Sequence, residues 1–264
     1  MAAPTASSTS PEQATASPTI PSSASPSASP SPALPTPPDL ANTVGDAPAG
    51  LSNTAIDRAR HRVHEHGNYY GYYGFRTQTV PDARLSLLPR ELFQGNRILD
   101  LGCNAGKLTL EVLNHLGATR SRGVDIDAHL ISQAEAATNG EQVEWVLADF
   151  MEESYEFGEW DVIMLLSITK WLHLHHGDEG MRKLFRRLFE VLPKGGVLLV
   201  EPQERENYAS AARKNKNLRP AYKLIQMWPP FEEELKAVGF TLENCIEREE
   251  GGFSRPLMIW RKPL

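Results

Sequence analysis

Apolar and polar positions follow two alternating rhythms from about residue 97 onward. NRILDLGCN, SRGVDID, VEWVLADF, WDVIMLLSI and GGVLLVEPQ are short apolar runs that end in turn residues or acids, the mark of strands. Between them, AGKLTLEVLNHLG, AHLISQAEAATNG and GDEGMRKLFRRLFEVLPKGG carry apolar residues at helical spacing, and PPFEEELKAVGF does so near the end. The run from Trp160 is apolar throughout, as a strand covered on both faces would be. FTLENCIE and RPLMIWRK read as a closing antiparallel pair. This order predicts an α/β fold: a doubly wound, mostly parallel sheet with that antiparallel pair at its edge.

The first fifty residues have neither rhythm. Eleven of the twenty prolines lie there, and no Lys or Arg precedes Arg58. Such a segment cannot bury enough apolar surface to offset its ordering entropy. Residues 1–52 are expected to be a disordered Ser/Pro/Ala-rich tail, and 53–264 one domain. The tail has neither the apolar run of a secretory signal nor the arginines of a presequence. No apolar run is long enough to cross a bilayer, so no membrane partner is expected. Two distant cysteines, Cys103 and Cys245, argue against a disulfide framework and for an intracellular protein of the nucleus or cytoplasm. The net charge of −6 argues against broad coating of nucleic acid but allows a local basic patch.

In a doubly wound sheet ligands sit beyond the carboxyl ends of the strands. Asp100-Leu-Gly-Cys-Asn-Ala-Gly106 lies at the first such end, with Gly102 and Gly106 allowing a tight turn and close approach. Asp125 closes the second strand, where an acid can accept hydrogen bonds from ribose hydroxyls, and Asp149 closes the third. A dinucleotide site would carry glycine where Asn104 stands, and Asp100 would repel a pyrophosphate. It suits an ammonium group instead. S-adenosylmethionine has an α-amino group, a ribose and an adenine but no phosphate, so this pattern points to a class I, Rossmann-like methyltransferase that uses it as cofactor.

NYYGYYGFR (68–76), ARL (83–85), LDLGCNAGKLTL, GVDID, LLSITKWLHLHHGDEG and LVEPQ together resemble the Bin3-type methyltransferases, over about residues 60–262. The resemblance implies that Tyr73 and Arg84 help hold the cofactor, that Gly102, Cys103 and Asn104 line its amino-acid end, and that Asp125 and Ile126 meet the ribose and adenine. It places Asp149 and Phe150 beside the adenine and Leu166 beneath it. It also implies methylation of an RNA 5′-phosphate oxygen, with a small structured RNA as partner. The γ-phosphate of a triphosphate end is the favoured acceptor; a 5′-monophosphate, or a non-catalytic ribonucleoprotein role, is the alternative. The enzyme is expected to act as a monomer, with ribonucleoprotein proteins as further possible partners.

A phosphate oxygen is anionic near neutral pH, so positioning and charge placement are the expected catalytic work. Tyr72, Arg76, Lys170 and His173 are the candidates around it. Trp171 is a candidate for stacking on a base or for packing against the next helix. Arg213, Lys214, Lys216, Arg219 and Lys223 form the one concentrated basic segment, read either as an RNA-backbone contact ordered on binding or as a solvated loop and helix face. Gln203 and Glu201 are candidates at the RNA end, Glu201 alternatively fixing local structure. The histidines of SITKWLHLHHGDEG, at 173, 175 and 176, could not all face one ion in an extended segment. A second cluster, His61, His64 and His66, lies upstream. No metal is expected, and Asp178 is expected to cap the helix that follows.

Overall fold

The computed structural model describes residues 66–67, 81–82, 84–140, 142–247 and 255–264. The expected tail and the candidates Tyr72, Tyr73 and Arg76 lie outside these residues, as do His61 and His64. The strands are β1 (Arg97–Leu101), β2 (Arg120–Asp125), β3 (Val143–Leu147), β4 (Val162–Leu166), β5 (Val197–Glu201), β6 (Thr241–Ile246) and β7 (Leu257–Arg261). They form one seven-stranded sheet in the order β3-β2-β1-β4-β5-β7-β6. The first five are parallel neighbours, while β7 runs antiparallel to both β5 and β6. The doubly wound sheet and its closing pair are therefore as the apolar pattern predicts.

The helices are α1 (Lys107–Leu116), α2 (Ala128–Ala136), α3 (Thr169–Val191), α4 (Arg205–Lys214), α5 (Arg219–Leu224) and α6 (Glu232–Val238). Alternation along each strand divides the core into two layers. Ile98, Val162, Met164, Val197 and Leu199 face α1 and the segment before β1, where Leu108, Val112 and Phe93 are buried. Leu99, Ile163, Leu165, Leu198 and Val200 face α3 and α6, where Phe185, Leu188 and Leu235 are buried. β4 and β5 are buried along their whole length because both faces are covered. At the far edge, β6 is mostly exposed and carries a register shift between Leu242 and Asn244, which blunts an otherwise open edge.

One helix differs from expectation. The stretch after β4 is not extended: α3 starts at Thr169 and passes through a kink at Gly177, where φ is 65°. Trp171 and Leu172 both donate their amides to Ile168 O, closing the first turn. The basic segment is also regular. α4, a 3-10 turn (Lys216–Leu218) and α5 follow one another. Asn215 Oδ1 accepts from Asn217 N at 3.0 Å, and Arg219 Nε donates to Ala212 O at 3.1 Å. The expectation of a loop ordered only on binding is thus corrected, because local side-chain bonds and buried Tyr208, Ala211 and Leu218 already fix it.

Candidate functional site

The carboxyl ends of β1 and β2 carry buried acids. Asp100 is 4% exposed and accepts from Thr109 Oγ1 at 2.6 Å. Burial pushes its carboxyl up to about 6, although the Thr109 bond and the charge of Arg84 oppose the rise. Asp125, also buried, accepts from Asn104 N at 2.9 Å and Asp127 N at 3.0 Å. Burial raises its carboxyl too, with those amide donors working the other way. The bond from Asn104 explains the loop: Asn104 sits in the left-handed region at φ 54°, and its own Oδ1 accepts from Ala105 N. Gly102, at φ 80°, has no room for a side chain, since a Cβ there would lie 2.0 Å from Ile168 Cδ1. That contact joins the glycine loop to the residue two before Lys170.

The ends of β4, β5 and β7 carry the cationic part of the rim. Ser167 adopts φ 61° and donates its hydroxyl to Glu201. Gln203 fixes the turn that follows. Its Oε1 accepts from Thr169 Oγ1 and from Lys170 N, both at 2.9 Å, and its Nε2 donates to Ser167 O. Lys170 is 7% exposed, with Nζ 4.3 Å from the centre of the Trp171 ring. Among the described residues it has no ion pair. Its ammonium is lowered to about 8, by burial first and then by the charges of Arg255 and Lys214. Arg255, just before β7, donates Nη1 to Ser167 Oγ at 2.9 Å. Arg84 joins the two halves: it holds Asp82 through Nε and Nη2, at 3.0 and 2.8 Å, and reaches Glu201 with Nη1 at 3.3 Å.

Several sequence candidates take other places. His173 is not on the reaction surface: it is 0% exposed, with Nε2 2.7 Å from Asp178 Oδ1 and Nδ1 3.4 Å from the Tyr208 hydroxyl. Asp178 does not cap; its Oδ2 accepts from Gln226 N and Met227 N, both at 3.1 Å, tying the kink of α3 to the segment after α5. Trp171 packs with Leu174, Tyr208 and Ala211, so the packing alternative is the one found. Glu201 and Gln203 are each 2% exposed and their side chains are engaged inside the protein, which for Glu201 matches the alternative of fixing local structure. Phe150 belongs to the main core, and Leu166 is buried beneath the opposite layer. Cys103 is buried, and burial raises its thiol. Ile126, in contrast, is 41% exposed beside Asp125, and Asp149 Oδ1 accepts from Met151 N. Arg213, Lys214 and Lys216 are exposed. His175 stacks on His66 with ring centres 4.7 Å apart. Among the described residues no group of three or more His, Cys, Asp or Glu side chains could hold a metal ion. The sequence reading missed Ser167 and Arg255. Ser167 stands in SITKW and Arg255 opens RPLMIWRK, but neither run marks its residue for the site.

Comparison with known proteins adds to this geometry. A family model described as Bicoid-interacting protein 3 (Bin3) matches residues 160–262, and a methyltransferase-domain model matches residues 98–196. The U6 snRNA methylphosphate capping enzyme Amus of Drosophila melanogaster is 34% identical over 224 residues, covering 75% of each chain. This chain belongs to the Bin3 family. The 7SK snRNA methylphosphate capping enzyme of Mus musculus is 29% identical over 75% of this chain, which spans only 40% of that protein's length. The N-methyltransferase NodS of Bradyrhizobium japonicum shares the fold, with a TM-score of 0.52 at 16% identity, covering 81% of this chain and all of that one. The Bin3 cofactor is S-adenosylmethionine. The residues fit it. A desolvated carboxylate pushed up to about 6 favours a cationic partner such as the α-ammonium group, and Asp125 beside exposed Ile126 offers a polar and an apolar neighbour for ribose and adenine.

Proposed function

We propose that this protein is an S-adenosylmethionine-dependent methyltransferase that methylates the 5′-terminal phosphate of a small non-coding RNA, with the γ-phosphate of a triphosphate end as its favoured acceptor. The observation that carries this is Lys170: a largely buried ammonium with no ion pair among the described residues, two positions beyond the side chain that packs on the cofactor-loop glycine. A protein that acted on a neutral or cationic acceptor would gain nothing from holding such a charge there. The Drosophila relative's name, a U6 snRNA methylphosphate capping enzyme, supports a phosphate acceptor.

When bound, S-adenosylmethionine supplies an electrophilic methyl on sulfur. Asp100, Gly102, Asn104, Asp125 and Ile126 would hold it, the acids taking its ammonium and ribose. Lys170 receives the anionic phosphate, and Gln203 sets where the lysine stands by fixing its amide and the backbone that leads into it. The phosphate oxygen already carries its negative charge, so the protein need remove no proton. Tyr72 and Arg76 remain proposed as further phosphate donors and Tyr73 as a cofactor contact, on the resemblance alone. Exposed Arg213, Lys214 and Lys216 would take the following RNA backbone. The protein would act as a monomer in the nucleus or cytoplasm, alone or beside ribonucleoprotein partners, with residues 1–52 as a tail outside the domain.

The test is transfer of radiolabelled methyl from S-adenosylmethionine to one short hairpin RNA made with a 5′-triphosphate, a 5′-monophosphate or a 5′-hydroxyl. Labelling of the triphosphate form that phosphatase pretreatment abolishes is the expected result. Labelling that survives phosphatase refutes the reading.

A further inference from the structure

The glycine loop rests against a side chain from a strand two places away. Trp145 lies in β3, in register with Gly123 of β2, and β2 separates it from β1. Its half-buried indole reaches across β2 to the end of the loop after β1. A Cβ at Gly123 would lie 2.3 Å from Trp145 Cζ3, and one at Gly106 2.3 Å from Trp145 Cη2. Gly123 is not in the left-handed region, so its backbone does not call for glycine; the ring that crosses it does. The loop shares that space, since the same Cβ at Gly123 would stand 2.9 Å from Cys103 Sγ. The indole is anchored in turn. Its Nε1 donates to Thr138 Oγ1 at 2.8 Å, and that hydroxyl donates to Ala134 O in α2 at 2.7 Å.

The two ends of the loop are secured differently. The near end is tied to β2: Gly102 N and Cys103 N donate to Val124 O at 2.8 and 3.1 Å, and Asn104 N donates to Asp125. The far end is Gly106, which starts α1 at φ 72° with no side-chain bond capping the helix. Its amide donates to Cys103 O at 3.0 Å, a bond internal to the loop. The three atoms nearest a Cβ at Gly106 all belong to the Trp145 ring, so that ring is the wall against which this end stands. A loop already held in its bound shape spends less binding energy on ordering.

We propose that Trp145 is a positioning residue for the cofactor: it braces Gly106 and so holds the loop in the shape that receives the amino-acid end of S-adenosylmethionine. It acts through the loop and not by contact with the reacting atoms, and Thr138 acts one step further out by fixing the plane of the ring. The role rests on the cofactor part of the proposed function and is independent of which acceptor is methylated.

The experiment titrates S-adenosylhomocysteine into the full chain by calorimetry and follows amide hydrogen exchange of the cofactor-free protein alongside. Trp145→Ala is expected to weaken binding about tenfold, the effect of having to re-order about one freed loop residue, and to speed exchange at the amides of 102–110. Trp145→Phe, which keeps a ring but not its anchor, should restore affinity to within about threefold of the unmodified protein. Leu235→Ala empties a fully buried position on α6; it should lower Tm yet change affinity less than about twofold and leave exchange at 102–110 as it was. Where Trp145→Ala does not fold, Trp145→Leu takes its place with the same expected loss. Unchanged affinity in the Trp145→Ala or Trp145→Leu variant, no recovery in Trp145→Phe, or an equal loss in Leu235→Ala makes the ring ordinary packing and overturns the proposal. Failure of the cofactor reading shows separately, as absence of binding by the unmodified protein, and overturns the role of Trp145 with it.

Discussion

Raising the pH should silence the proposed activity through one lysine. The Lys170 ammonium is lowered to about 8 by burial, with the charges of Arg255 and Lys214 adding to the effect. Only the charged form can receive a phosphate. At pH 7 about nine tenths of the free protein carries that charge, and at pH 9 about one tenth does. The specificity constant kcat/KM for RNA should therefore fall about tenfold between those pH values. The sign changes for the complex: a bound phosphate favours the ammonium, so kcat at saturating RNA should decline at higher pH than kcat/KM does. Among the described residues, burial moves the Cys103 and Cys245 thiols and the Tyr208 hydroxyl upward from their ordinary values, away from this window. Lys170→Arg supplies the decisive control, since a guanidinium stays charged throughout. Steady-state methyl transfer to triphosphate RNA, measured from pH 6.5 to 9.5, reads the limb. A flat profile, or an alkaline limb that persists unchanged in Lys170→Arg, would show that Lys170 is not the group that meets the phosphate.

Three further outcomes follow from the same geometry. Gln203→Ala leaves the amide of Lys170, the hydroxyl of Thr169 and the carbonyl of Ser167 without their partner; it should cost about 2–4 kcal/mol, a fall of roughly 5–15 °C in Tm by calorimetry, and should lower kcat while calorimetric cofactor affinity stays within about threefold. Asp125→Ala should weaken S-adenosylmethionine binding by about tenfold or more, read by the same titration, while kcat at saturating cofactor changes less. Cofactor affinity should also drop as pH falls through about 6, because the Asp100 carboxylate must be ionised to take an ammonium; its retention at pH 5 would remove Asp100 from that role.

The sheet was legible because strand burial is written directly in composition. WDVIMLLSI and GGVLLVEPQ have no polar face, and the structure covers both of theirs. The acids Asp100 and Asp125 were equally readable, since a strand end in a doubly wound sheet is a fixed address. What was not legible depended on contacts far apart in sequence. SITKWLHLHH has apolar residues that fit either an extended exit or a helix. The helix is chosen because Gln203, 33 residues away from Lys170, holds the first turn. His173 looks like a chemical group until Asp178 and Tyr208 are placed around it, and those partners come from beyond a kink and from another helix. Arg255 reaches the rim because β7, rather than β6, pairs with β5, an order of the closing pair that the apolar pattern does not announce.

The arrangement of charges explains why acids and cations share one rim without cancelling. If Glu201 faced Lys170, it would hold the ammonium high and consume its charge. Its Oε2 instead takes Arg84 and the Ser167 hydroxyl, and Arg84 is shared with Asp82. The negative charge nearest the lysine turn is thereby engaged on the side of Asp100, where Arg84 partly offsets the acid. Neither end is neutralised by its own complement. Asp100 stays raised for want of a full cation, and Lys170 stays lowered for want of an anion. Both are desolvation costs borne by the folded protein, and both are of the sign that a cofactor ammonium and a substrate phosphate would relieve. A site built only for stability would have paired these groups, since a buried unpaired charge is destabilising. Among the described residues neither Asp100 nor Lys170 has an ion pair, and a cofactor ammonium and a substrate phosphate are the partners the proposed function would bring.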